Sequence, residues 1–326
     1  MRKKVMIVLC SVCAVLGFFT LWSAEGAFQS DWQLPAAIPA DEESYRLVLI
    51  TQELETPFWD KVGAGAAAQA GQEGVILDVW GSYGSNREDF LKQIEIALHS
   101  KVDGVIVQGL DTEEFKKLTK EKAAFYGIPI IIVANDVPVA ESLRKTFVGS
   151  DHYAAGKMLA AQLVKEMGSS GQVVLLGDME QQYSQRQRMQ GVNEVLAQHE
   201  GISTVYAESG KSDEEIIVAT QNVLNQYPNV QAFIALNANH VGPLMKEISR
   251  RAQLAPYHLY SFDDGSETAS LLDQGKLDAM IQQSPEQMGE QSVELMMQWL
   301  RNEVVPLESS GYITDIRVVK GAEAGP

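Results

Sequence analysis

Cysteine is almost missing from this chain: the two present, Cys10 and Cys13, both lie in an apolar stretch near the N-terminus. The rest of the chain must hold itself together by its core, without disulfides. Histidine is scarce too. His99, His152, His199, His240 and His258 are scattered, with no H-E-x-x-H spacing, so no metal site is expected. No nucleophile elbow is present, since Ser184 sits in YSQ rather than G-x-S-x-G. Gly63 and Gly65 lie inside a helix pattern and make no phosphate-binding fingerprint. Asp263-Asp264 reads more simply as a strand-end ligand and a helix cap than as paired catalytic acids. The expectation is a protein without cofactor or metal that is not an enzyme. Positive charge is short as well, with 26 Lys and Arg against 43 Asp and Glu and a net charge of −17. Without Arg2, Lys3 and Lys4 the balance is about −20, which argues against nucleic acid or anionic lipid as partners.

What is present begins at the N-terminus. Three cations precede Val5 to Trp22, which runs without a charge. A basic start before an apolar run is a secretion signal or a membrane anchor, and the chain beyond it faces outward. The run exceeds the usual signal core of about 7–15 residues and nearly reaches the roughly 20 that span a bilayer, which favours an anchor. A weak cleavage pattern at Ala24-Glu25-Gly26 keeps a cleaved signal open, so residues 1–26 are read as signal anchor or signal peptide. Residues 27–44, with two prolines and a short acidic run, have no period and read as a linker reaching at most roughly 60 Å.

From Tyr45 the chain alternates strand-like and helix-like segments. Strands are expected at 47–50, 75–80, 104–107 and 128–134, with helices at 59–72, 86–99 and 112–126. The rhythm restarts near Thr146. Strands are expected at 172–176, 203–207, 231–236, 258–262 and 278–282, and helices at 152–167, 186–199, 213–226 and 285–300. Continuous Val/Ile runs suit strands covered on both faces of a parallel sheet. The pattern predicts two doubly wound α/β domains. Ligands of such sheets bind beyond the carboxyl ends of the strands.

Those ends carry Thr56-Pro57-Phe58-Trp59, Gln108, Asn135-Asp136, Asn237, Asp263 and Gln283, with Arg186 following Asp178. Amides, an arginine and a carboxylate satisfy hydroxyls, and aromatic faces stack on the C–H surface of a sugar. Any one Asn or Asp there could simply turn the chain. Their recurrence at equivalent strand ends points to binding.

TPFW at 56–59, VDGVIVQ at 102–108, GIPIIIV at 127–133, FVGSDHYAAGK at 147–157, SQRQRMQG at 184–191, YPNVQAFIALN at 227–237, SFDD at 261–264 and GKLDAMIQQSPEQMG at 275–289 occur in this order. Together they resemble periplasmic sugar-binding proteins of the ribose-binding type, which share their fold with the ligand-binding half of lac-repressor-family regulators. The resemblance spans roughly 45–320. It implies two doubly wound parallel-sheet domains joined by a three-crossover hinge, the type I periplasmic binding protein fold, closing on a ligand. Crossovers are expected near Val148, Gln283 and Tyr312. One lobe would hold 45–148 and 284–312, the other 149–283 and 313–326. Carried over by residue, Phe58, Trp59, Gln108, Asn135, Arg186, Asn237, Asp263 and Gln283 become ligand-binding residues. Ala134, Asn135 and Lys211 depart from the ribose pattern, so the resemblance implies a monosaccharide other than ribose as readily as ribose. It further implies a membrane partner, either an ABC permease or a sensor histidine kinase. The alternatives are a receptor for another small polar ligand, such as a furanose-like signal molecule, or an enzyme on the same fold.

Overall fold

The computed structural model describes residues 6, 15–19, 44–84, 86–179, 182–251, 257–263, 265 and 267–320. The apolar run at 5–22 lies mostly outside them; residues 15–19 are helical and exposed. Among the described residues no helix is long and apolar enough to cross a membrane. The expected anchor or signal at 1–26 and the linker at 27–44 therefore fall outside the described residues, apart from these few positions and Ser44.

The folded unit starting at Tyr45 contains two six-stranded sheets. The first unfolds along the chain as β1 (Arg46–Thr51), α1 (Pro57–Glu73), β2 (Ile76–Gly81), α2 (Arg87–His99), β3 (Gly104–Gln108), α3 (Glu113–Lys117), a π-helical turn (Leu118–Lys122), α4 (Ala123–Tyr126), β4 (Ile130–Val133), α5 (Val139–Ser142) and β5 (Thr146–Gly149). The second follows as α6 (His152–Met167), β6 (Ser170–Asp178), α7 (Tyr183–Leu196), β7 (Gly201–Ser209), α8 (Asp213–Gln226), β8 (Val230–Ala235), a 3-10 turn (Ala238–His240), α9 (Val241–Arg250), β9 (His258–Phe262), α10 (Thr268–Asp273) and β10 (Ala279–Gln282). Then come α11 (Pro285–Leu300), β11 (Tyr312–Ile313) and β12 (Arg317–Lys320). The strand orders are β11-β5-β4-β3-β1-β2 and β12-β10-β9-β8-β6-β7. The chain thus leaves the first sheet after β5, returns after β10, and passes once more between β11 and β12.

The unbroken apolar strands have a direct cause. Along β1, Val48 and Ile50 enter one core while Leu47 and Leu49 enter another on the opposite face. Likewise Val173 and Leu175 of β6 face one core of the second sheet, and Val174 and Leu176 the other. Period-two side chains with apolar layers on both sides need a hydrophobic residue at every position.

Helix starts follow their caps. Thr56, Asn86, Thr112, Asp151 and Ser212 each accept a backbone N–H of the helix they open, and Ser212 with Glu215 completes a capping box. The helix expected at 186–199 instead begins at Tyr183, where Gln182 supplies no side-chain cap and so no sequence signal. The helix expected over 112–126 is interrupted by the π turn at Leu118–Lys122.

One helix pair in each half packs on reciprocal glycines. A Cβ on Gly65 of α1 would sit 2.1 Å from the Glu286 carbonyl of α11, and one on Gly289 would sit 2.0 Å from the Val62 carbonyl. In the other half, Gly156 of α6 faces the Arg188 carbonyl and Gly191 of α7 faces the Tyr153 carbonyl, both at 2.1 Å. Only hydrogen fits at these crossings.

Candidate functional site

A cavity of about 360 Å³ is lined from the carboxyl ends of both sheets. Pockets of small-molecule size begin near 300 Å³. The first sheet contributes Phe58, Trp59, Gln108 and Asn135; the second contributes Arg188, Asn237, Asp263 and Gln283.

On the first side, Pro57 occupies the opening turn of α1 and Thr56 Oγ1 accepts the Trp59 amide at 3.4 Å. This cap presents Phe58 and Trp59 together, with ring centroids 5.5 Å apart and planes at 81°. Gln108 ends β3, and its Oε1 accepts from Thr51 Oγ1 at 2.8 Å and the Gln52 amide at 2.7 Å. Both bonds lie on the oxygen, which fixes the amide orientation. Asp136 is tied away by Arg144 in a two-bond ion pair, at 2.8 and 3.0 Å. Its burial outweighs that pairing and raises its pKa.

On the second side the polar groups form a chain. Asp263, with φ at 71°, receives Arg188 Nη2 at 2.7 Å on one oxygen and Gln283 Nε2 on the other. Arg188 also donates through Nη1 to the Leu236 carbonyl at 2.9 Å and through Nε to His152 Nδ1 at 3.3 Å. His152 Nε2 completes the run by donating to the Ala134 carbonyl at 3.1 Å, at the end of β4. The chain of bonds runs from the end of the first sheet through the cavity wall to Gln283, where the polypeptide crosses back. Among the described residues Gln283 Oε1 is buried without a partner. Such an orphan is an acceptor held for something outside the fold.

Burial, with the Arg188 charge beside it, pushes His152 down to about 3, so the ring stays neutral. An unfolded histidine titrates near 6.5. Between these values the unfolded chain binds the extra proton, so stability is full above the upper value and falls as pH drops toward the lower. This group costs up to about 1.4 kcal/mol per pH unit across that window. Thermal melts from neutral pH into that range should show the loss, and His152→Gln should make the curve shallower. An equally steep variant curve would place the acid sensitivity elsewhere.

Seven of the eight expected residues line this one cavity. The exception is Arg186; the arginine in the cavity lining is Arg188. On α7 the buried stripe is Ser184, Gln185, Arg188, Gly191, Val192 and Leu196, at helical three- and four-residue spacing. Arg186 falls off that stripe. Its side chain is 44% exposed and pairs with Asp111, beyond β3, at 2.5 Å. Asp111 also receives Lys116 at 3.0 Å. Asn237 caps the 3-10 turn, accepting the Asn239 amide at 3.0 Å, so the turn role and a place in the cavity coexist. Residues not anticipated in the lining are Asp178, Gln182, Ser184, Gln185, Asn239 and His240, together with Glu53 and Glu55. The three- and four-residue stripe was the available signal for Ser184, Gln185 and Arg188; the others come together through the tertiary fold.

The family model described as "Periplasmic binding protein domain" matches residues 47–303. The ribose import binding protein RbsB of Bacillus subtilis is 22% identical over 298 residues, covering 90% of this chain and 92% of its own. The crystal structure of GanP, a glucose-galactose binding protein from Geobacillus stearothermophilus, superimposes with a TM-score of 0.80 at 26% identity, over 87% of this chain and 99% of that one. The XylFII–LytSN complex contains a chain of the same fold, with a TM-score of 0.74 at 24% identity, over 85% and 98% of the two chains.

Proposed function

Because this chain belongs to the periplasmic binding protein family, we propose that it is an extracytoplasmic receptor that closes on a monosaccharide and presents it, or the closed state, to a membrane partner. The observation that carries this reading is the make-up of the cavity. Phe58 and Trp59, at the start of α1, line the cavity together with a hydrogen-bonded Arg–Asp–Gln set from the other half. Ring faces and charge-assisted polar groups are what a polyol with one C–H face requires. That relatives bind ribose and glucose or galactose agrees with it. Phe58, Trp59, Gln108, Asn135, Arg188, Asn237, Asp263 and Gln283 are the proposed ligand contacts.

Isothermal titration of the full chain with D-ribose, D-allose, D-glucose, D-galactose, arabinose and xylose tests the reading. Heat from at least one, without turnover of the sugar, is the expected result. No binding across the panel would overturn the reading, and turnover would favour an enzyme.

Closure follows because a ligand touching both sides binds the closed arrangement better than an open one. The bodies that move are proposed as 45–148 with 284–312, and 149–283 with 313–326. The Arg186–Asp111 pair joins these two bodies and so belongs to the closed state. An exposed pair contributes about 0.2–1 kcal/mol and is screened by salt. Arg186→Gln should therefore weaken sugar binding by about 1.5- to 5-fold at low salt, and the difference should vanish near 1 M salt. A difference that persists at high salt would remove the pair from the closing equilibrium.

The charge-free run at 5–22 supports a tethered receptor. With a retained anchor the partner is a sensor histidine kinase; with a cleaved signal it is an ABC permease. Sequencing the mature N-terminus separates the two.

A further inference from the structure

A second carboxylate lies in the cavity wall. Asp178 ends β6 and is 7% exposed. Its Oδ2 accepts Gln185 Nε2 at 2.6 Å, and its own amide donates to Gln185 Oε1 at 3.2 Å. Its Oδ1 accepts His240 Nε2 at 2.8 Å. All three residues line the cavity. They come from the end of β6, from α7 and from the 3-10 turn after β8, three separate stretches of chain brought to one point.

The His240 ring is arranged in a way the fold alone does not explain. It is 1% exposed, and among the described residues Nδ1 is buried with no partner. A buried polar atom left without a partner is unfavourable. An apolar side chain would fill the same space without that orphan. What the ring supplies and an apolar residue lacks is the bond to Asp178, with Ser209 Oγ a weaker neighbour of the same nitrogen at 3.4 Å.

A carboxylate has about four acceptor positions. On Asp178 one is used on each oxygen, which leaves one on each. Asp263 has the same arithmetic, with Arg188 and Gln283 as its holders. Burial pushes the Asp178 pKa up, but the His240 ring, the Gln185 amide and the nearby Lys211 charge outweigh it and hold the group below the ordinary carboxylate range. Asp178 is therefore ionised, rigid and short of donors.

We propose that Asp178 is a second ligand-binding carboxylate, positioned by His240 and Gln185, and that the site selects a monosaccharide whose hydroxyls reach both Asp178 and Asp263. This rests on the sugar-receptor reading and narrows it to fully hydroxylated sugars over deoxy sugars. A site built to hydrogen-bond a hydroxyl rejects the analogue that lacks it, because its polar groups are left unpaired.

The test is a titration of the full chain with the tightest sugar of the panel above and its singly deoxygenated forms. In the wild type, at least one deoxy form should bind about 10- to 100-fold more weakly than the parent sugar. Asp178→Asn and Asp178→Ser should weaken the parent sugar by a similar factor, and that deoxy form should then bind nearly as well as the parent. His240→Leu should repeat the loss and His240→Gln, which keeps a donor for Asp178, should restore part of it. Circular dichroism and melting of each variant without sugar report folding. If the Asp178 variants bind within about threefold of wild type while Asp263→Asn does not bind, the inference falls and the receptor reading stands. If they weaken the parent and every deoxy form equally, Asp178 is structural and the inference falls. If the wild type binds no sugar of the panel, the receptor reading falls and takes the inference with it.

Discussion

Asp263→Ala should abolish measurable sugar binding and lower the melting temperature at the same time. The carboxylate holds Arg188 Nη2 at 2.7 Å and fixes Gln283 Nε2. Arg188 is only 5% exposed, and its guanidinium lies 4.7 Å from the centroid of the Phe262 ring. Breaking a buried pair by deleting one partner strands the other charge and costs about 3–5 kcal/mol. The ligand would lose its acceptors on Asp263 as well, and Gln283 would lose the bond that orients it. Affinity should fall by more than about 100-fold. Calorimetric titration and melting of the same preparation measure both effects. Wild-type affinity in a folded Asp263→Ala protein would mean that the ligand sits elsewhere.

The second large effect is expected far from any ligand contact. Gly289→Val should destabilise the protein by about 3 kcal/mol or more. The added Cβ would meet backbone, with the Val62 carbonyl at 2.0 Å and the Ala66 nitrogen at 2.6 Å. Backbone cannot rotate aside, so α1 and α11 would have to separate and open a core that includes Val62, Met288 and Met296. At about 2–4 °C per kcal/mol, melting should fall by at least ~6 °C. Gly71→Ala is the control. It lies on the exposed side of α1 with nothing within 4 Å of the new Cβ, so helix propensity alone should make it neutral or stabilising. Equal losses in both variants would show that the crossing is not the cause. Because α1 carries Phe58 and Trp59, ligand affinity should also fall in Gly289→Val.

Much of this architecture was legible before any coordinates. Runs such as LVLI and IPIIIV announced strands covered on both faces. The helix Val241–Arg250 is not among the expected helices; Gly242-Pro243 occupies its first turn, where proline is tolerated. Gln108, Asn237 and Asp263, singled out because they follow strands, do meet in one cavity. Arg186, carried over from the resemblance, lies two residues from Arg188, and two residues turn a side chain about 200° around the helix axis, so only Arg188 lines the cavity. Asp178 and His240 could not be paired in advance, because 62 residues separate them and only sheet order brings β6 beside β8.

The shared strand order has a consequence of its own. β5-β4-β3-β1-β2 in one half is matched by β10-β9-β8-β6-β7 in the other, and each half has its helix pair seated on two glycines. The symmetry stops at the last strands, where β11 runs parallel to β5 but β12 runs antiparallel to β10. A chain with one design written twice is free to let the copies specialise. One copy brings Phe58 and Trp59 to the cavity, and the other brings the Arg188–Asp263 pair. A change of sugar preference can begin in either copy while the other goes on folding, and gripping, as before.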